Sequence, residues 1–381
     1  MPKPLESQGR YMPGLDGLRA LAVFAVLFYH LGANWAPGGL LGVGVFFTLS
    51  GYLITDLLLA QIRNHGRILF GQFYWRRAKR LLPALYVMLA LVLFYITLFQ
   101  RDLLSSLPGD VIAAVLYVSN WWYIFHHVSY FNSFIPSPFT NLWSLAVEEQ
   151  FYLVWPLVLI VLVRFVRSRY AQVTITLALA AASALAMALI YNPGTVPNLV
   201  YYGTDTRAFA LLIGAALAFL WPSTQLPSLH PAGRDAVNLL GVAGLGLFLW
   251  MVLFTNEYET FVYRGGMVLL AVGTAFAVQA LTLPDGLLTH VLGVAPLRWL
   301  GVRSYAIYLW HYPIIVLTAS LSHRLHNALL YDALISVASV GVAALSWHFV
   351  ENPIRRFTWS RKRGKRERVL SRVERSALSH E

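Results

Sequence analysis

Two ionisable side chains inside the first apolar stretch raise the chemical question. GLDGLRALAVFAVLFYH places Arg19 and His30 eleven positions apart, which at 100° per residue puts them on one face of a helix, about 16 Å apart along its axis. An imidazole near neutral pH is the natural general base for a hydroxyl nucleophile, and the arginine on the same stripe favours that role over simple packing. WSLAVEEQFYLVWP carries Glu148 and Glu149, whose side chains diverge by about 100° on a helix. One of them is expected to face the interior and support His30, as the third member of a triad does; otherwise the pair complements the positive end of its helix. FYWRRAKRLLP, read as a loop, gathers Arg76, Arg77, Lys79 and Arg80 among Phe73, Tyr74 and Trp75. This is a positive-inside loop with interfacial aromatics. Its density also suits a phosphate site, because guanidinium forks grip phosphate bidentately, as a nucleotide-bearing donor would require.

Other polar residues are more ambiguous. In YYGTDTRAF, Thr204 or Asp205 is expected to cap a helix, with Arg207 one turn in, either binding an anionic or sugar acceptor or pairing with Asp205. RSYAIYLWHYP spaces Tyr305, Tyr308 and His311 by three, a helical spacing suited to interhelical hydrogen bonding in support of a site. Ser50, in LLGVGVFFTLSGYLITDLLL, is either a nucleophile or a hydrogen-bonding residue between helices, the second being the better fit. Gly42, Gly44 and Gly51 in the same segment allow close helix approach. In FVENPIRR, Pro353 is expected to break the last helix, and Glu351, near Arg355 and Arg356, reads as structural. The chain has no cysteine, which excludes disulfides, thiolate nucleophiles and Cys-ligated zinc. It shows no phosphate-binding glycine loop, dinucleotide fingerprint or metal-ligand cluster, so no metal is expected.

These residues need a membrane scaffold. The 381 residues are 58% hydrophobic and 12% charged, against about 25% charged in soluble domains, which excludes a soluble enzyme and a disordered chain. A bilayer core needs about 20 apolar residues in a helix. Candidates fall near 15–33, 39–60, 83–99, 111–127, 143–163, 173–190, 206–221, 237–254, 265–283, 304–321 and 330–350. The first reads as a retained helix, since no small-residue cleavage site follows it. Basic residues accumulate in cytoplasmic loops, and alternation fails unless 111–127, with Asn120, His126 and His127 among interfacial aromatics, is re-entrant or interfacial. The expected fold is therefore all-α, a polytopic helical bundle with about ten transmembrane helices, one re-entrant segment and both termini cytoplasmic. This assigns 24 of the 29 Lys and Arg residues, and most of the net charge of +12, to the inner side. The organisation reads as an N-terminal segment 1–10, a transmembrane domain 11–357, and a basic tail 358–381 suited to anionic lipid rather than nucleic acid. Ionisable groups within such a bundle are functional by default.

The motifs GLDGLRALAVFAVLFYH, GVGVFFTLSGYLIT, FYWRRAKRLLP, WSLAVEEQFYLVWP, YGTDTRAFALLIGAALA, SYAIYLWHYPI and ENPIRR occur in this order. Together they resemble the membrane acyltransferase family three, which includes bacterial O-acetyltransferases of peptidoglycan, lipopolysaccharide and exopolysaccharide. The resemblance spans about residues 11–357. It implies a catalytic role for Arg19 and His30, an acyl-coenzyme A role for Arg77 and Arg80, and places the family's paired glutamates on Glu148 and Glu149. The wording of 128–152 and of GTDTR is most similar to the peptidoglycan O-acetyltransferase branch. Members of that branch usually add a helix and an extracytoplasmic SGNH domain that completes transfer. Here the chain runs from its tenth crossing into the basic tail, so it is expected to act alone, to pass its acyl group to a separate SGNH-type protein, or to form another subtype.

The resulting expectation is an O-acyltransferase of the bacterial plasma membrane. Acetyl-coenzyme A is held from the cytoplasm by Arg76, Arg77 and Arg80, with Arg19 deeper. His30, supported by a glutamate, activates an outer hydroxyl of a cell-envelope glycan. Two alternatives stand beside it: a proton-coupled exporter of a lipid-linked sugar or small metabolite, without the repeats such carriers often show, and an O-acyltransferase acting on a small molecule such as a macrolide.

Overall fold

The computed structural model describes residues 11–131, 137–321 and 327–356. The 1–10 segment and the tail 358–381 lie outside the described residues. Among the described residues every regular element is helical, as the apolar composition requires, because in lipid only a helix or a closed barrel satisfies its own backbone.

Seven helices are long and apolar enough to cross a bilayer, which makes this a multi-pass membrane protein. They are built on α2 (Gly42–His65), α3 (Phe70–Phe99), α6 (Trp143–Phe165), α7 (Arg169–Ile190), α10 (Pro231–Phe254), α11 (Met267–Leu281) and α15 (Ala328–Ser346). The other three expected crossings coincide with α1 (Pro13–His30), α9 (Thr204–Leu220) and α14 (Ser304–Leu317). With 18, 17 and 14 residues, they reach about 27, 26 and 21 Å, and α1 carries Asp16 and Arg19 in its first turns. Their positions explain how they persist at that length. They are largely buried within the bundle, whereas α3, α7, α10 and α15 expose most of their apolar surface.

The segment 111–127 is divided between α4 (Pro108–Val115) and α5 (Ser119–Phe125). Tyr117 and His127, with φ of 55° and 53°, adopt the left-handed conformation and turn the chain after each helix. Eight and seven residues reach only about 10–12 Å, too little to span. Short α8 (Asn198–Tyr202) leads into α9, and α12 (Leu287–Leu292) and α13 (Ala295–Val302) precede α14.

Three local readings are corrected. FYWRRAKRLLP is not a loop: residues 70–99 form one helix of 30 residues that continues through Pro83. No strong breaker precedes that proline, and membrane helices accommodate proline in their interior. Pro353 likewise does not end the last helix. A π-helical turn, Trp347–Glu351, carries the chain into α16 (Asn352–Arg356), of which Pro353 is the second residue. Gly203, rather than Thr204 or Asp205, is the N-cap of α9, and no side chain caps it.

Close packing at the centre depends on glycine. A Cβ at Gly51 of α2 would lie 1.8 Å from the Leu211 carbonyl oxygen of α9, and one at Gly214 of α9 would lie 2.0 Å from the Thr48 oxygen of α2. The two backbones therefore touch. Gly42 meets Ala22 of α1 in the same way, at 2.4 Å, while Gly44 leaves ordinary space.

Candidate active site

Helices α1, α2, α3, α6 and α14 line a partly open cavity. Arg19, Arg77 and Arg80 line one part of it; Ser50, Glu148 and Tyr152 form a polar wall; Ser144, Tyr305 and Tyr308 complete it. Arg19 is 4.0 Å from Asp16, and Arg77 lies over the Tyr152 ring at 4.3 Å. Because residues 70–99 are helical, Arg77 and Arg80, three apart, share a face turned to the cavity. Arg76 falls on the exposed side and is not part of the lining, a correction to the expected donor set.

Glu148 faces α2: its Oε1 accepts from Ser50 Oγ at 2.8 Å and its Oε2 from Tyr152 Oη at 3.4 Å. Ser50 is thus a hydrogen-bond donor between helices. The glutamates do not cap α6, since Glu148 is its sixth residue, and neither is a partner of His30. Glu149 does not line the cavity. Glu351, last in the π turn, is 3% exposed and lies within electrostatic reach of Arg80, Arg355, Arg19 and Arg303, behind the cavity wall and not in its lining.

His30 closes α1 and has different partners from those expected. His311 Nδ1 is 3.1 Å from the Ile307 carbonyl. A carbonyl only accepts, so this nitrogen carries the proton. His311 Nε2 is then an acceptor, and His30 Nδ1–H donates to it at 2.9 Å. That leaves His30 Nε2 as the basic nitrogen, and it accepts from Tyr130 Oη at 2.7 Å. Tyr130 is itself fixed: its N–H donates to Asn198 Oδ1 at 2.9 Å, and its ring rests 5.0 Å from Tyr201 and 6.1 Å from Trp143. A hydroxyl on a base oriented by a third group is the arrangement that activates nucleophiles.

Tyr308 connects the two parts. It lines the cavity, its Oη donates to the Asn141 carbonyl at 2.9 Å and is 2.6 Å from Ser144 Oγ, and its ring lies 5.4 Å from His311. Tyr305 borders the cavity but its hydroxyl is engaged by the Leu81 carbonyl at 2.9 Å.

Asp205 and Arg207 are not brought together. Arg207 points into the core, 2% exposed, and no ion pair joins it to Asp205 among the described residues. Neither lines the cavity. Two site residues escaped the sequence reading. Tyr152 stands four after Glu148, the spacing of neighbours on a helix face, which was a usable signal. Tyr130 lies in a turn after α5, where periodicity carries no information. Among the described residues no cluster of three or more His, Asp or Glu could hold a metal.

An apolar bundle holding a cationic cavity beside a hydroxyl–imidazole pair is a scaffold for group transfer, and comparison with known proteins agrees. Residues 12–348 match the acyltransferase domain family, and the chain belongs to that family. It is 47% identical over 350 residues to the peptidoglycan O-acetyltransferase OatA of Listeria monocytogenes, covering 91% of this chain and 56% of that protein. It is 38% identical over 348 residues to the O-acetyltransferase OatA of Staphylococcus aureus, covering 91% and 58%. The chain thus spans little more than half the length of these relatives. No solved structure matches. With an acyltransferase domain over nearly the whole chain, the transporter reading is set aside.

Proposed function

We propose that the protein is an O-acyltransferase of the bacterial plasma membrane that carries an acetyl group from cytoplasmic acetyl-coenzyme A to a hydroxyl of cell-wall glycan, directly or through a separate extracytoplasmic transferase. In this reading ten helices cross the membrane with both termini inside. The observation that carries it is the Tyr130–His30–His311 chain beside an arginine-lined cavity. Arg77 and Arg80 take the donor's phosphates, Arg19 and Glu351 set the charge of the inner end, and the pantetheine arm runs along Ser50 and Tyr152 toward Tyr308. His30 Nε2 takes the Tyr130 proton, the phenolic oxygen attacks the thioester carbonyl, and the C–S bond breaks with the thiolate recovering the proton. An acceptor hydroxyl then attacks the tyrosyl ester, its proton passing by way of His30 to the departing Tyr130 oxygen. The glycan as acceptor is supported by the peptidoglycan named for the Listeria relative.

Incubating the purified protein with radiolabelled acetyl-coenzyme A is expected to leave a base-labile acetyl group on Tyr130, detectable by peptide mass spectrometry. Full transfer by Tyr130→Phe would overturn the relay. Arg77→Ala and Arg80→Ala are each expected to weaken coenzyme A binding by about 10-fold or more, the size of a lost hydrogen bond to a charged group, while Arg76→Ala leaves it unchanged. Titration calorimetry at low salt measures this, and equal affinities in all three variants would remove the phosphate assignment.

A further inference from the structure

The least accounted-for charge in the described core is Arg207. It is 2% exposed, its Nε has no hydrogen-bond acceptor, and its Nη1 meets only the Met267 thioether, a weak acceptor. Its guanidinium carbon lies 5.1, 5.7 and 5.9 Å from the ring centres of Tyr201, Phe47 and Trp143. No carboxylate pairs with it among the described residues. Glu257 is within electrostatic reach of Tyr201 and Tyr263 but makes no ion pair with the arginine. Burying a charge without a counter-ion is costly, and an apolar residue in its place is often more stable. A membrane protein that keeps such a group obtains something else from it.

The surroundings indicate what. Tyr201 and Trp143, two of the rings around Arg207, are the rings packed against Tyr130, and the guanidinium is within electrostatic reach of Tyr201, Tyr263 and, after them, Tyr130. In the proposed relay, the Tyr130 oxygen gains negative charge twice, when it attacks and when it leaves. We propose that Arg207 is a positioning residue that supplies a fixed positive charge for the Tyr130 oxygen in both half-reactions, through an aromatic cage that keeps competing anions and water away. This rests on the acyl-tyrosine reading. A preorganised charge in a water-excluded site stabilises a developing anion far more than the same charge in water.

The inference predicts that stability and activity move in opposite directions. Methionine matches the aromatic and thioether cage, so Arg207→Met is expected to melt at or above the wild-type temperature in detergent. Its acetyl-coenzyme A turnover is expected to fall about 10²-fold, the effect of removing one preorganised donor, in kcat and without change in donor KM. Arg207→Lys, which keeps the charge, is expected to recover most of the rate, and Glu257→Gln to behave as wild type. Wild-type turnover by Arg207→Met would overturn the assignment, as would a joint loss of melting temperature and rate, the mark of a structural role. An equal loss in Arg207→Lys, or in Glu257→Gln, would also overturn it. Failure of the relay itself reads out separately, as full activity in Tyr130→Phe.

Discussion

Replacing His30 with alanine is expected to lower acetyl transfer by roughly 10³-fold, the contribution typical of a positioned general base, while coenzyme A binding stays intact. The two effects separate because His30 does not line the arginine cavity and Tyr308 stands between them. Removing the imidazole leaves the Tyr130 hydroxyl without its 2.7 Å acceptor, so no group in place can take its proton. His311→Leu is expected to act in the same direction but less severely, since it leaves the base and removes the acceptor that orients its Nδ1–H. The measurement is initial-rate thioester cleavage beside a coenzyme A titration on the same protein. Normal turnover by His30→Ala would sink the mechanism, and a parallel loss of binding would mean that the histidine supports the fold.

Replacing Gly51 with valine is expected to cost on the order of 3 kcal/mol, the upper part of the usual overpacking range. The first added carbon would already fall 1.8 Å from the Leu211 oxygen, and that oxygen is backbone, which cannot rotate aside. Helices α2 and α9 would have to separate, carrying Ser50 and Arg207 out of register. Gly246→Ala on α10 is the matching control: nothing lies within 4 Å of its added carbon, and alanine is the better helix former by about 0.5–1 kcal/mol. Thermal unfolding followed by size-exclusion chromatography should move the two variants in opposite directions. Wild-type melting for Gly51→Val would refute the backbone contact.

Periodicity and spacing made the helices legible because each must hide about 20 apolar residues from water, and they placed Arg19 and His30 on one stripe. What they missed follows from physics that a linear pattern does not carry. Arg77 and Arg80 read as loop residues because positive charge usually marks loops, yet without a helix breaker the backbone continues. One glutamate of the pair, Glu148 or Glu149, was expected to support His30 by analogy with a triad, but which helix face meets which neighbour is set by crossing geometry, and α6 turns Glu148 to Ser50. His311 stood among packing residues until Ile307 fixed its tautomer. Tyr130 sits in a turn, where no repeat reveals direction. Arg207 was expected one turn into its helix at the outer face, binding an acceptor or pairing with Asp205; helix α9 instead directs it into the aromatic core.

The hydrogen bond from His311 to the Ile307 carbonyl also limits where a proton can go. Two adjacent histidines within a membrane, one near a cavity rich in arginine and tyrosine, are components from which a proton conductor could be made. A carbonyl cannot pass a proton on, and the Tyr308 hydroxyl is committed to Asn141 and Ser144, so the chain that begins at Tyr130 ends inside the protein. A proton taken up by His30 therefore finds no onward path through the hydrogen bonds of His311. In the proposed transfer, the acyl group would thus be handed on at a histidine pair whose inner member is tied to a backbone carbonyl and has no further proton to pass along.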